Sequence, residues 1–273
     1  MTSKVAKRSL KDSLPSYKKP PINEVVCGFR YKPLGEFKIP HIGLLWEKFR
    51  NDYPGLEHAI PIATDANILV DASTGAPIPR VWFISSEGSQ LVQFQADRYY
   101  FNWRQRGDVY PRYSTIIRKF ERAKTVLDEF VEELHLGAIE PIEYELTYIN
   151  QIPKGQGWET ADDLPKVFTD FNWERRDGRF LSNPTNTSWR TRFALPEDKG
   201  WLTGKLSQGK RKDDEVPVLV FELAAKGIDA DKSLTTMRTW FDLAHEWIVR
   251  GFADLTTDEI QRTTWEREDA AAS

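Results

Sequence analysis

The residues of this sequence best suited to recognition chemistry are arginines interleaved with aromatic side chains. Between Arg98 and Arg106 the chain reads Arg-Tyr-Tyr-Phe-Asn-Trp-Arg-Gln-Arg, and a related pattern, Trp-Arg-Thr-Arg, begins at Trp189. A planar guanidinium beside an aromatic face can stack a nucleic-acid base or hold an acidic or aromatic group of a protein. The alternative is that the aromatic side chains form the core and the arginines lie across them. The candidate binding residues from these stretches are Arg98, Trp103, Arg104, Arg106, Trp189, Arg190 and Arg192.

Tyr148, Asn150 and His245 are further candidates for contact with a ligand. His245 falls in a helical pattern, beside Trp247 and Arg250. It is either a hydrogen-bonded histidine where the helix meets the sheet, or a residue that contacts a ligand or transfers a proton. Asn150 follows Tyr148 at the end of a well-patterned strand. Its side chain either bonds a nearby backbone group or faces a groove.

A pair of carboxylates is a second candidate for acid–base chemistry. Glu143 and Glu145 share one face of a strand and could act together as acid and base. Strict alternation places Tyr144, Leu146 and Tyr148 on the opposite face. The carboxylate face is therefore predicted to be the polar, solvated one.

Established metal, nucleotide and nucleophile motifs are missing from the sequence. The four histidines are scattered, without a His-x-His or His-Glu-x-x-His pair. Glu197-Asp198-Lys199 has the residue types of a metal-dependent nuclease, but it follows a proline between two strands, as exposed turns do. Cys27 lies in an apolar run, where a buried small residue is expected rather than a nucleophile. We predict no cofactor, no metal and no catalytic residue.

The composition is that of a globular protein. The chain has 273 residues, of which 40% are hydrophobic and 29% charged, and a net charge of -3. This acidic balance disfavours a general binder of nucleic acids or membrane surfaces. No apolar run approaches the roughly 20 residues of a membrane span, and the N-terminus has no signal-peptide pattern. We therefore predict a cytoplasmic protein.

Residues 1–20 differ from the rest because they are rich in lysine and contain one acid, Asp12. We interpret them as a flexible basic arm that ends at Pro20-Pro21. Such an arm is either a solvated tail or a segment that touches a partner or a nucleic acid. Its basic residues are Lys4, Lys7, Arg8, Lys11, Lys18 and Lys19.

The remaining sequence predicts one order of elements twice: a strand, a helix, a group of antiparallel strands and a long helix. We place the first half at residues 21–138, the second at 139–265 and a disordered tail at 266–273. The first half contains strands at 24–31, 80–84, 90–95 and 98–103, with helices after Pro40 and from Pro111 to Gly137. The second contains strands at 143–149, 188–195, 200–207 and 216–224, with helices at 164–171 and 237–255.

These patterns predict an α+β fold in one compact domain. Pseudo-duplicated β-α-β-β-β-α halves would form an antiparallel sheet with the long helices on one face. The open face, or a groove between sheet and helix, is then the natural binding surface. The order of elements is similar to that of the saddle-shaped TATA-binding and helix-grip folds, an analogy of fold that carries no function.

Several short strings together resemble a sporadically distributed family of uncharacterised bacterial proteins of about this length. The resemblance covers residues 20 to 265 and implies a fold, but no catalytic residues. The patchy distribution of that family fits genes carried on mobile elements, including antiviral defence and toxin–antitoxin cassettes. The strings are Pro21–Val26, Gly43–Trp46, Phe49-Arg50, Tyr53-Pro54, Phe101–Arg104, Tyr110-Pro111, Glu145–Asn150, His245–Ile248 and Phe252–Thr257.

Three hypotheses for function follow from the sequence. The first is a non-enzymatic protein-binding or accessory subunit with an operon-encoded partner, as in a bacterial defence or toxin–antitoxin system. The second is a nucleic-acid-binding subunit that uses the arginines and the basic arm. The third is an enzyme with an unfamiliar site around His245 and the strand of Glu143 and Glu145. An exposed aromatic strand edge could also serve self-association.

Overall fold

The computed structural model describes residues 13–62, 69–107, 109–171, 177–182, 184–211, 213–230 and 234–268. Over these residues the chain is an α+β protein, as the sequence predicted. The strands are β1 (Ser16–Tyr17), β2 (Ile22–Tyr31), β3 (Gly55–Ala59), β4 (Arg80–Ile84), β5 (Gln90–Gln95), β6 (Arg98–Arg104), β7 (Pro141–Pro153), β8 (Trp189–Ala194), β9 (Trp201–Lys210), β10 (Pro217–Gly227) and β11 (Arg267–Glu268). The helices are α1 (His41–Phe49), α2 (Tyr113–Glu133), α3 (Leu164–Val167), α4 (Leu234–Leu255) and α5 (Asp258–Thr263).

An open antiparallel sheet dominates the part of the chain that the structure describes. It has nine strands in the order β3-β4-β5-β6-β2-β7-β10-β9-β8, and its two ends are not joined. The first strand of each predicted half, β2 or β7, lies at the centre, where Cys27 is opposite Leu146. The other strands of each half extend outwards from that central pair.

One face of this sheet is covered by helices. Alternate residues of β2, among them Val25, Cys27 and Phe29, have no exposed surface. Phe29 lies 6.2 Å from Phe120 of α2, and on the neighbouring β7 Tyr144 lies 5.8 Å from Phe241 of α4, between ring centroids. Both long helices therefore bury their apolar stripes against the same face, as an amphipathic helix on a half-buried sheet requires.

Strands β1, β3 and β11 and helix α5 were not predicted, and some boundaries differ. Strand β3 reads Gly-Leu-Glu-His-Ala and is largely exposed, so its sequence has no apolar alternation to reveal it. Helix α5 begins after Thr257, whose side chain caps it by accepting a hydrogen bond from the Ile260 N–H. Helix α3 ends at Val167, before the extended residue Phe168. The predicted loop at 60–79 holds a bridge between Val70 and Pro77, and its residues 63–68 lie outside the described residues.

The chain folds into two compact units, and α4 contributes residues to both. The larger unit comprises Pro21–Lys154 and Asn186–Ile248 and contains the nine-stranded sheet. The smaller one comprises Met1–Pro20, Gly155–Thr185 and Val249–Ser273. These boundaries differ from those of the two predicted halves.

In the smaller unit the first and last strands of the described chain pair with each other. Strand β1, within the predicted basic arm, forms an antiparallel ladder with β11, within the predicted tail. Tyr17 of β1 is buried, with its ring 5.5 Å from that of Phe252, and its hydroxyl donates to Gln261 Oε1 at 3.0 Å. Residues 16–17 are thus packed, while 1–12 and 269–273 lie outside the described residues.

Candidate binding surface

The face of the sheet opposite the helices, which we call the open face, is rich in cations although the chain is acidic. Strand register places eight cationic and five carboxylate side chains on this face. The cations are Arg30, Arg80, Arg98, Arg104, Arg190, Arg192, Lys205 and Lys226. The carboxylates are Glu24, Glu57, Glu143, Glu145 and Glu222. Four of these cations form ion pairs: Arg98 is buried beside Asp97, and Arg30, Arg104 and Lys226 pair with glutamates of this face. The remaining four are more numerous than the remaining carboxylates, which favours an anionic partner.

A single row of facing residues crosses the open face from one tryptophan to another. In order, the row is Trp82, Gln93, Tyr100, Gly28, Glu145, Lys226 and Trp201. Gln93, Tyr100 and Gly28 are buried, so the accessible parts of the row are its two ends. At about 4.8 Å per strand, its two tryptophans lie about 29 Å apart. The centre of the row needs glycine, because a Cβ at Gly28 would meet the Tyr100 ring and the Tyr99 carbonyl oxygen.

The middle of this row is a neutralised polar network around Glu145. Its carboxylate accepts hydrogen bonds from the Tyr100 hydroxyl at 3.2 Å and the Thr147 hydroxyl at 3.0 Å. Lys226 Nζ forms an ion pair with it at 2.8 Å. Three donors thus converge on the Glu145 carboxylate and hold it in place within the sheet.

At one end of the row, two guanidinium groups contact the Trp82 ring. Arg80 lies 5.3 Å and Arg104 5.1 Å from the ring centroid. Arg104 pairs with Glu24 at 3.4 Å, whereas Arg80 donates to Gln93 and has no carboxylate within 4 Å among the described residues. Burial lowers the pKa of Arg80, with a smaller contribution from nearby Arg98 and Arg104.

At the other end, a groove of about 770 Å³ surrounds Trp201. Half of the Trp201 surface is exposed (50%), and the Arg192 guanidinium lies 5.7 Å from its ring centroid. Large aromatic and arginine side chains dominate the energetics of protein interfaces. The charged side chains that line the groove are Glu143, Arg190, Arg192, Asp198, Lys205, Glu222 and Lys226.

Two cations of the groove face each other across neighbouring strands. Arg190 of β8 is directly opposite Lys205 of β9, an arrangement that destabilises a sheet. Glu222 lies opposite Lys205 on its other side. No carboxylate of the described residues comes within 4 Å of Arg190, Arg192 or Lys205. The end of the sheet thus carries positive charge that the described part of the chain does not neutralise.

On the helix-covered face, His245 belongs to a separate polar cluster. Its Nδ1 lies 3.0 Å from the Tyr148 hydroxyl, which lies 3.1 Å from that of Tyr110. The imidazole stacks on Tyr113 with 3.9 Å between centroids, and the Tyr113 hydroxyl donates to Asp242 at 2.8 Å. Burial lowers the pKa of His245 to about 4, against a smaller opposite effect of Asp242. Burial also raises the pKa of the Tyr148 hydroxyl well above its usual value.

Two of the predicted recognition residues are held by their immediate neighbours. Arg98 is buried, and its guanidinium pairs with Asp97 at 3.0 Å. Arg106 is exposed and donates to the Gln105 carbonyl oxygen at 3.1 Å.

Two others lie in the core. Trp103 is buried on the helix-covered face, with its ring 5.3 Å from that of Tyr110. Asn150 is buried too, and its Nδ2 donates to the Phe221 carbonyl oxygen at 3.0 Å, which ties neighbouring strands together. Trp189, which is half-buried, lines the groove together with Arg190 and Arg192.

The candidates for an enzymatic site do not converge. Glu143 and Glu145 lie on the open face, whereas His245 contacts Tyr148, which points from β7 to the other face. The sheet therefore separates the histidine from both carboxylates. Within the described residues, no group of three or more His, Cys, Asp or Glu side chains is placed to hold a metal ion. No helix of the described chain has the length and apolarity to cross a bilayer.

Comparison of the chain with protein-family models, with curated proteins and with solved structures finds no match. The arrangement of its residues is therefore the guide to its function. Sequence reasoning missed Arg80, Trp82, Trp201 and Lys205 as surface residues. Arg80-Val-Trp82 does alternate as an exposed strand face would, so that pattern was a signal for the first two.

Proposed function

We propose that the protein is a non-enzymatic protein-binding subunit of the cytoplasm whose open face recognises an acidic partner. One observation carries this proposal: the row across the open face has an arginine-contacted tryptophan at each end, and one end opens into the groove. Tryptophan offers a large contact area, and arginine offers a planar set of donors in fixed geometry.

The distribution of charge supports a protein over a continuous polyphosphate. The middle of the row consists of buried side chains and the neutralised Glu145, so no continuous line of cations joins the two tryptophans to hold a phosphate backbone. A protein segment can place acidic residues beside the cations and neutral ones beside the carboxylates. Electrostatic complementarity of this kind governs specificity and the rate of association.

We also propose that the two halves arose by duplication. From the centre outwards, β2-β6-β5-β4 and β7-β10-β9-β8 follow equivalent orders, and this supports a saddle-like arrangement. The family resemblance supports a partner encoded in the same operon, in a bacterial defence or toxin–antitoxin system.

The proposal predicts that reversing charge in the groove removes the partner. In the double variant Arg190→Glu/Arg192→Glu, we expect at least a tenfold loss of the protein co-purified from the native host after nuclease treatment. The matched control is Arg118→Glu/Arg122→Glu, which changes the charge equally on exposed residues of α2. The readout is quantitative mass spectrometry of affinity-purified tagged protein. Equal recovery by both double variants would contradict the proposal.

The same preparation tests the nucleic-acid function. A subunit that binds phosphates through arginine should lose its partners on nuclease treatment, and its affinity should fall steeply with salt. Recovery of nucleic acid with such a salt dependence would replace the proposed function.

A further inference from the structure

The end of the sheet at β8 has the properties of a strand-addition site. We propose that β8 accepts an extended acidic segment of the partner as an additional strand, with alternate carboxylates on Arg190 and Arg192. This inference rests on the proposed function and specifies how the partner is held. An extended peptide that adds to a sheet edge gains affinity from backbone hydrogen bonds and specificity from alternate side chains.

The position and exposure of β8 fit this role. It is the last strand of the sheet in the described chain, with β9 as its strand neighbour, and most of its residues are exposed. Arg190 and Arg192 project to the open face, while Thr191 and Phe193 project to the other. Phe193 leaves 39% of its surface exposed. An added strand would thus meet cations on one face and an apolar ring on the other.

The charges of this edge favour an acidic occupant. Arg190 and Lys205 face each other without a carboxylate of the described residues within 4 Å, and Arg192 lies two residues further along β8. Alternate side chains of a strand point to the same face, so an acid at every second residue would lie beside both arginines. Such pairs are charge-assisted, and arginine can bind a carboxylate through two parallel hydrogen bonds.

The groove supplies room for these acidic side chains. It lies on the open face, where Arg192 and Trp201 form its aromatic–cation contact. A nucleic acid lacks the regular amide donors and acceptors that strand addition requires, so the edge and the groove together select a peptide.

The test measures binding of synthetic peptides to the full-length protein by fluorescence anisotropy. The probe is an eight-residue peptide that alternates glutamate and valine. We expect it to bind at least tenfold more tightly than a block peptide of four glutamates followed by four valines. N-methylation of its four central amides should weaken it at least tenfold, because this removes backbone donors on both edges. The protein variant Arg190→Glu/Arg192→Glu should also bind the alternating peptide at least tenfold more weakly. The control variant Arg118→Glu/Arg122→Glu should bind it with unchanged affinity.

Equal affinity of the methylated and unmethylated peptides would overturn strand addition, as would equal affinity of the alternating and block peptides. Tighter binding of a ten-nucleotide single-stranded DNA would also overturn it. These failures are separable from failure of the proposed function. If the peptides fail while the native partner still depends on Arg190 and Arg192, only the strand-addition inference falls. If no nuclease-resistant partner depends on those arginines, the proposed function falls.

Discussion

Replacing Gly28 by alanine is expected to lower the free energy of unfolding by about 3 kcal/mol, or to prevent folding altogether. Gly28 lies on β2 between Tyr100 of β6 and Glu145 of β7, at the centre of the sheet. An added Cβ would meet the backbone oxygen of Tyr99 and lie 2.8 Å from Cγ of Tyr100. The backbone oxygen cannot move without breaking strand pairing, so the strain would spread through the central strands.

Chemical denaturation of the purified variants measures this effect. The control is Gly43→Ala on α1, where a Cβ would meet nothing within 4 Å. Alanine is favoured over glycine in an exposed helix position, so this control should gain up to about 1 kcal/mol. If the free energy of unfolding of Gly28→Ala lay within about 1 kcal/mol of the wild-type value, the central strands could move apart to accept a Cβ. That result would contradict the close packing at Gly28.

Lowering the pH from 7 to 5 is expected to reduce the free energy of unfolding of the larger unit by about 2 kcal/mol through His245 alone. The pKa of this histidine is about 4 in the folded protein, against an ordinary value of 6.5. At a pH between these two values, the unfolded chain therefore binds a proton at His245 that the folded chain does not bind. The stability is present above pH 6.5 and is lost progressively as the pH falls towards 4. The physical cause is burial of the imidazole between Tyr148 and Tyr113.

The matched variant is His245→Gln, which retains a polar group but no titration in this range. Urea unfolding at pH 7 and pH 5 should show the extra loss in wild type and not in the variant. A second variant, Tyr148→Phe, removes the hydroxyl that contacts Nδ1 but keeps the ring. It should keep the same pH dependence if burial is the main cause. Equal losses in wild type and His245→Gln would refute the assignment.

The sequence predicted those parts of the fold in which local patterning agrees with burial. Strand β4 alternates in burial and the last long helix has an apolar stripe, as their sequences predicted. Strands β5 and β6, also predicted, are buried on almost every residue. Strand β3 was missed because an exposed edge strand does not need a hydrophobic face. The pairing of β1 with β11 was missed because it joins residues at opposite ends of the chain.

The candidate site was harder to predict, because its geometry depends on register between distant strands. The aromatic–arginine stretch on β6 divides between two faces: Trp103 enters the core and Arg104 reaches Trp82. Nothing local to Trp82 or Trp201 indicates that they lie on one row, since the row forms only when β4 and β9 join one sheet with five strands between them. In the same way, a contact between Tyr148 and His245 spans 97 positions.

The pairing of β1 with β11 also has a practical consequence for protein engineering. Since Ser16 of β1 lies opposite Glu268 of β11, a short linker could join these two residues directly. New termini could then be opened in the exposed turn Ser86–Glu87 between β4 and β5. A circular permutant of this kind would convert the ladder into a covalent hairpin.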